Sequence, residues 1–170
     1  IVEETESGGT IPDKAGSLHL KKSGVITISG CQFRNIKSDT NIFYDTQSHS
    51  DKDKRITIEY NQFYKCTGEM CYFNTATGSI EEINIQYNDF EECERKSGRV
   101  SIAVGVSKTT DSNAMTIFSN TFKDCGRNKD RTYIVHLIMG QSPGGIGDIR
   151  FDNNTVYFTD TRKTCGAFRV

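Results

Sequence analysis

Asp148, Arg150 and Asp152, at alternate positions, are the nearest approach in this sequence to an acid–base set. An extended strand turns its side chains the same way every second residue, so two carboxylates and a guanidinium would share one face, a grouping able to move a proton or steady an anion. No nucleophile or histidine joins them. His19, His49 and His136 each stand without an identifiable acid partner, and the Asp148–Arg150–Asp152 face is expected to be an exposed rim. Glu59 and Asp152 hold equivalent outward positions in two copies of the repeat described next, but Gln86 and Phe118 lie between them, so the carboxylates do not converge. Cys66 and Cys71 offer thiols, yet there is no C-x-x-C pair and no second half to a zinc site. The expectation is therefore no catalytic residue, no metal and no cofactor in these residues.

What would position any such side chain is a repeat. Residues 56–66, ITIEYNQFYKC, recur without gaps at 26–36, 83–93, 115–125 and 149–159, with spacings from 27 to 34 residues. A loose period around a rigid motif means constant strands and variable loops. Each copy opens with apolar residues alternating with Thr27, Thr57, Asn84, Thr116 and Arg150, the period of a strand with one buried face. Asn61, Asn88, Asn120 and Asn154 follow, with Cys31 in the first copy, and asparagine suits a sharp bend because it tolerates left-handed backbone and bonds neighbouring backbone groups. Phe33, Phe63, Phe90, Phe122 and Val156 then return to the interior, and Ile36, Cys66, Cys93, Cys125 and Thr159 mark a second turn. A further apolar run follows each motif, as in residues 42–44, 70–73, 100–104 and 134–139. About three short strands per copy, stacked on the same strands of the next copy, make parallel sheets and a solenoid.

This pattern resembles the right-handed parallel β-helix of pectate lyases and autotransporter passengers, in which asparagine, aliphatic and aromatic side chains form ladders along the axis. The short strand at residues 15–20, ahead of ITISGCQF, also resembles the repeats of polymorphic outer-membrane proteins. The fold class expected is all-β, a right-handed parallel β-helix solenoid of about five coils over residues 15–170. Residues 1–14 read as a loop or the remnant of a preceding coil, and the whole as a fragment of a longer solenoid. A leucine-rich-repeat solenoid is the alternative, but Ser23, Asp53, Ile80, Ser112 and Ile146 stand where its consensus places leucine. The resemblance also implies two enzymatic designs: aspartates clustered on calcium with an arginine or lysine base, or aspartate pairs on adjacent coils. Part of a β-helical polysaccharide lyase or glycoside hydrolase is thus the second expectation for function.

The 170 residues carry a formal net charge of −1, which excludes a generic polyanion binder, and no nucleic-acid partner is expected. No apolar run is long enough to span a membrane, and no signal peptide stands at the start of this segment. Cys66, Cys93 and Cys125 share one position, which stacking would repeat at about 4.8 Å; parallel side chains keep their Cβ atoms near that separation, above the roughly 3.8 Å of a disulfide. A stack of reduced, buried thiols is expected. The segments 94–99, 126–131 and 160–164 are each net positive, while those on the opposite edge sum to a negative charge. Stacked, Arg95, Lys96, Arg99, Arg127, Lys129, Arg131, Arg162 and Lys163 would form a basic stripe for an anionic glycan or a host or cell-surface component. The function expected is that of a secreted or cell-surface, non-catalytic segment in adhesion, display or structural extension. Asn153-Asn154-Thr155 is a glycosylation sequon.

Overall fold

A computed structural model describes residues 2–3, 16–21, 25–45, 53–74, 80–93, 100–107, 114–125, 132–139, 148–159 and 165–169, with side chains placed for Leu18, Ile42 and residues 25–37, 55–67, 82–93, 115–125 and 150–159. These residues are all-β, and the strands form three parallel sheets. The first sheet takes Val25–Ser29, Asp53–Glu59, Ile80–Gln86, Ala114–Phe118 and Asp148–Asp152, one strand from the opening of every copy. The second takes the short strands Gln32–Arg34, Gln62–Tyr64, Asp89–Glu91, Thr121–Lys123 and Thr155–Tyr157, with Val2–Glu3 beside the first of them. The third takes Gly16–Lys21, Lys37–Asp45, Thr67–Asn74, Val100–Ser107, Thr132–Met139 and Cys165–Arg169. A leucine-rich repeat lines up one strand per unit with a helix or 3₁₀ turn, whereas each unit here feeds every one of the three sheets.

Register follows the motif without slippage in the first two sheets. Ile28, Ile58, Ile85, Ile117 and Phe151 pair in sequence across the first sheet, and Phe33, Phe63, Phe90, Phe122 and Val156 across the second. A shift of one residue would turn each apolar column outward, so burial of these columns fixes the pairing. The phenylalanine rings stack nearly parallel, with centroids 4.6, 4.8 and 5.0 Å apart from Phe33 to Phe122, and all four are buried. In the third sheet Leu18, Ile42, Cys71, Val104 and Leu137 align by backbone register.

Two left-handed bends separate the sheets. The first is taken by Gly30, Tyr60, Tyr87, Ser119 and Asn153, with φ of 67, 54, 55, 50 and 54°; the second by Asn35, Lys65, Glu92 and Asp124, with φ of 54, 51, 52 and 52°. The repeated asparagine is therefore not the left-handed residue. It stands one position later, buried, where its amide ties successive copies together. Asn88 Nδ2 donates to Ile58 O at 2.9 Å and to Asn120 Oδ1 at 3.0 Å, while its Oδ1 accepts from the Asn61 N–H and from Asn61 Nδ2, both at 3.0 Å. Asn120 repeats the pattern with Asn154, and Cys31 N–H donates to Asn61 Oδ1 at 2.9 Å. Each bend exposes backbone groups that the sheets leave behind, and a buried unpaired group is costly, so an amide at this position satisfies both chains at once.

Candidate functional site

The second sheet supplies the most complete surface among the described side chains. Its strands are only three residues long, and the left-handed residue at either end forces the central side chain inward and the two flanking side chains outward. Register then builds two outward columns, Gln32–Gln62–Asp89–Thr121–Thr155 and Arg34–Tyr64–Glu91–Lys123–Tyr157. All of these but Gln32 and Thr155 line a groove of about 490 Å³, together with Phe63 and Phe90. Within it Lys123 Nζ donates to Glu91 Oε1, and at its edge Gln62 Oε1 accepts from Gln32 Nε2 at 3.1 Å.

Charge in this groove is mixed rather than uniformly basic. Arg34 and Lys123 supply cations, Asp89 and Glu91 carboxylates, and Tyr64 and the exposed Tyr157 supply phenol rings. The Glu91 carboxylate holds the Lys123 ammonium above its ordinary pKa, first by their hydrogen bond, so the cation persists across neutral pH. Beside the groove, Lys65 Nζ lies 4.9 Å from the Tyr64 ring centroid and 3.8 Å from Glu92 Oε2, and the Tyr64 hydroxyl, then Glu92, raise its pKa. Aromatic faces beside paired charges and amides suit a ligand rich in hydroxyls and acids.

The residues expected to bind are distributed differently. Arg95, Lys96, Arg99, Arg127, Lys129, Arg131, Arg162 and Lys163 lie outside the described residues, as does His49; of the opposite edge, Glu82 is described and accepts from Arg55 Nε. The strand backbones carrying His19, Cys71, His136, Asp148 and Cys165 are described, their side chains are not. In register, His136 stands between Ala103 and Arg169, and His19 beside Phe43. Arg150 and Asp152 are exposed on the first sheet, the rim expected of them, and Glu59 is half-buried with its Oε2 accepting from Gln86 Nε2 at 2.8 Å. Reasoning from sequence looked for acids on the first strand of each copy and missed Asp89 and Glu91. The signal was the alternation in Asp89-Phe90-Glu91: an inward phenylalanine between two acids puts both carboxylates on one outer face.

Cys31, Cys66, Cys93 and Cys125 are free thiols. Cys66, Cys93 and Cys125 are buried, and their S–H groups donate to the carbonyls of Phe33, Phe63 and Phe90 in the preceding copy at 3.3, 3.4 and 3.5 Å. Hydrogen bonding with Cys93 and then burial push the Cys66 thiol far above its ordinary pKa, and burial does the same to Cys93. Because burial blocks the reagent, and the raised pKa values of Cys66 and Cys93 withhold the reactive thiolate, iodoacetamide on the native protein should leave Cys66, Cys93 and Cys125 unmodified while labelling half-buried Cys31, as read by peptide mass spectrometry. The raised pKa values also set a pH dependence. Unfolded thiols lose their protons near pH 8.5 while the folded ones keep them, so the stability these groups contribute is full below that pH and is lost as pH rises above it. Unfolding midpoints that do not fall between about pH 8 and pH 10 would remove the thiols from this role.

Among the described residues, no group of three or more His, Cys, Asp or Glu side chains is arranged to hold a metal ion, and no helix is long and apolar enough to cross a membrane. The chain matches no protein-family model, no curated protein and no solved structure.

Proposed function

We propose that this chain is a segment of a right-handed parallel β-helix, secreted or displayed at a cell surface, that serves adhesion or display by holding an anionic glycan without turning it over. Three parallel sheets visited in the same order by every copy support the β-helical reading. The observation that carries the functional one is the groove on the second sheet, where Arg34, Tyr64, Glu91, Lys123 and Tyr157 follow one another along one in-register column, two cations and two phenol rings about one carboxylate. The cation-rich segments 94–99, 126–131 and 160–164 begin three residues after Glu91, Lys123 and Tyr157 of this column in the sequence. The proposed ligand spans both: Arg34 and Lys123 from the groove, and Arg95, Lys96, Arg99, Arg127, Lys129, Arg131, Arg162 and Lys163 from the stripe. Further coils of a longer solenoid would extend it.

Attraction between exposed charges is screened over about 8 Å at physiological ionic strength, so binding should be weak and salt-sensitive. The test is retention on immobilised polygalacturonate or heparin at low salt. The wild-type chain should be retained and released by added salt, and Arg34→Glu with Lys123→Glu should elute earlier with an unchanged melting temperature. A wild-type chain that passes unretained at low salt refutes the reading. A second reading, a polysaccharide lyase or hydrolase, is favoured by Asp89 and Glu91 on one face beside Lys123. It differs in outcome: the polysaccharide would lose viscosity or gain unsaturated ends.

A further inference from the structure

The first bend carries a feature that the groove does not use. Gly and, among other types, Asn accept left-handed backbone most readily, and they hold this bend at Gly30 and Asn153, with the small Ser119 in a third copy. In between, the same conformation is imposed on two bulky aromatics, Tyr60 and Tyr87, at φ 54 and 55°. A strained bulky residue persists where its surroundings or its function hold it. Here both rings point to solvent, Tyr60 59% and Tyr87 41% exposed, so no core holds them.

The two rings stack face to face with centroids 5.1 Å apart and planes 6° from parallel. On its other side Tyr87 packs perpendicular to the Phe118 ring, with centroids 5.7 Å apart and planes at 90°. Among the described residues the far face of Tyr60 meets no ring, because the next position in that direction is Gly30, where a Cβ would find none of their atoms within 4 Å. Backbone bonds hold the column in place: Gly30 N–H donates to Glu59 O at 3.4 Å and Tyr87 N–H to Phe118 O at 3.1 Å. The result is an aromatic stack fixed in orientation by Tyr87 and Phe118 and open at one end over a glycine.

Around the open end stand hydrogen-bonding groups. Ser29 precedes Gly30 and pairs in register with Glu59, whose carboxylate is held by the Gln86 amide, and the Gln32 amide follows on the next strand. We propose that Tyr60, over Gly30, is a stacking site for the flat C–H face of one neutral pyranose ring, with Ser29, Glu59 and Gln32 meeting the sugar's hydroxyls. A pyranose offers an apolar face ringed by hydroxyls, which matches an aromatic face ringed by polar side chains. The phenyl ring of a peptide would cover the same face but leave those polar groups dehydrated and unpaired. The Glu59 carboxylate disfavours a uronate, which sets this site apart from the anionic ligand of the groove.

The test uses cellotetraose as probe, observed by saturation-transfer NMR on the intact chain. Saturation should reach the ring C–H protons of the sugar, with an affinity indifferent to salt. Tyr60→Phe should bind within about threefold of wild type, and Tyr60→Gly at least about tenfold more weakly, since an aromatic face is what is lost. Tyr60→Gly should keep its melting temperature, because relief of the left-handed strain offsets the missing Tyr87 stack. The absence of saturation transfer to the wild-type chain, or equal affinity in Tyr60→Gly, overturns the proposal. Either result leaves the groove untouched, because its ligand is anionic, salt-sensitive and lost through Arg34 and Lys123 instead.

Discussion

Phe90→Ala should lower the free energy of unfolding by about 3–5 kcal/mol, the range for deleting a buried phenylalanine and leaving a cavity. The upper part of that range applies because Phe90 has no freedom to be replaced by collapse. It lies between Phe63 at 4.8 Å and Phe122 at 5.0 Å, both buried and both held by their own strands in the second sheet. Closing the gap would mean moving parallel strands whose spacing the backbone hydrogen bonds set. Phe122→Ala should cost less, because its neighbour on one side is the half-buried Val156, which can shift. Urea unfolding with an unchanged m-value checks both, and a loss below about 1 kcal/mol for Phe90→Ala would place that ring outside the core. The same substitution should disturb binding, since Asp89 and Glu91 flank Phe90 and owe their outward direction to its inward one.

The second large effect is expected at Asn88. Its amide makes four side-chain hydrogen bonds within one buried column: two donated, to Ile58 O and Asn120 Oδ1, and two accepted, from the N–H and Nδ2 of Asn61. Leucine has the same branching and number of heavy atoms but bulkier methyls and no polar atom, so Asn88→Leu leaves the Ile58 carbonyl and the Asn61 N–H without partners and Asn61 Nδ2 with only Ile28 O. Each buried group so orphaned costs about 1–3 kcal/mol, and the total should reach roughly 3 kcal/mol. Hydrophobic gain from leucine offsets part of this but does not repair the column. Equilibrium unfolding is again the measurement; a neutral or stabilising Asn88→Leu would mean that water, rather than the neighbouring copies, satisfies these groups. Because Asn61 and Asn120 share the column, Asn88→Leu and Asn61→Leu together should destabilise by less than the sum of the two alone.

The ladders were legible in the sequence because they are local. An isoleucine at every second position, an asparagine three residues on and a phenylalanine two beyond it specify strand, bend and strand from the backbone geometry of a short segment, and repetition multiplies the signal. That Ile58, Asn61, Phe63 and Cys66 face inward required only the motif and the need to bury apolar side chains. What needed the tertiary structure was every property that depends on what lies in the adjacent copy. Sequence placed asparagine at the bend but could not separate the left-handed residue from the bonding one, because asparagine favours both roles; stacking decided it, since only an inward amide reaches Asn61 and Asn120. Asp89 and Glu91 gained meaning only when register set Tyr64 on one side and Lys123 on the other. For Tyr60 it was the stacking of copies that put Gly30 on one side and Tyr87 on the other, and so left one ring face open among the described residues. Motif spacing encodes what each residue does to its own backbone, whereas neighbours across coils are set by loops of variable length, and their identity is not contained in any single copy.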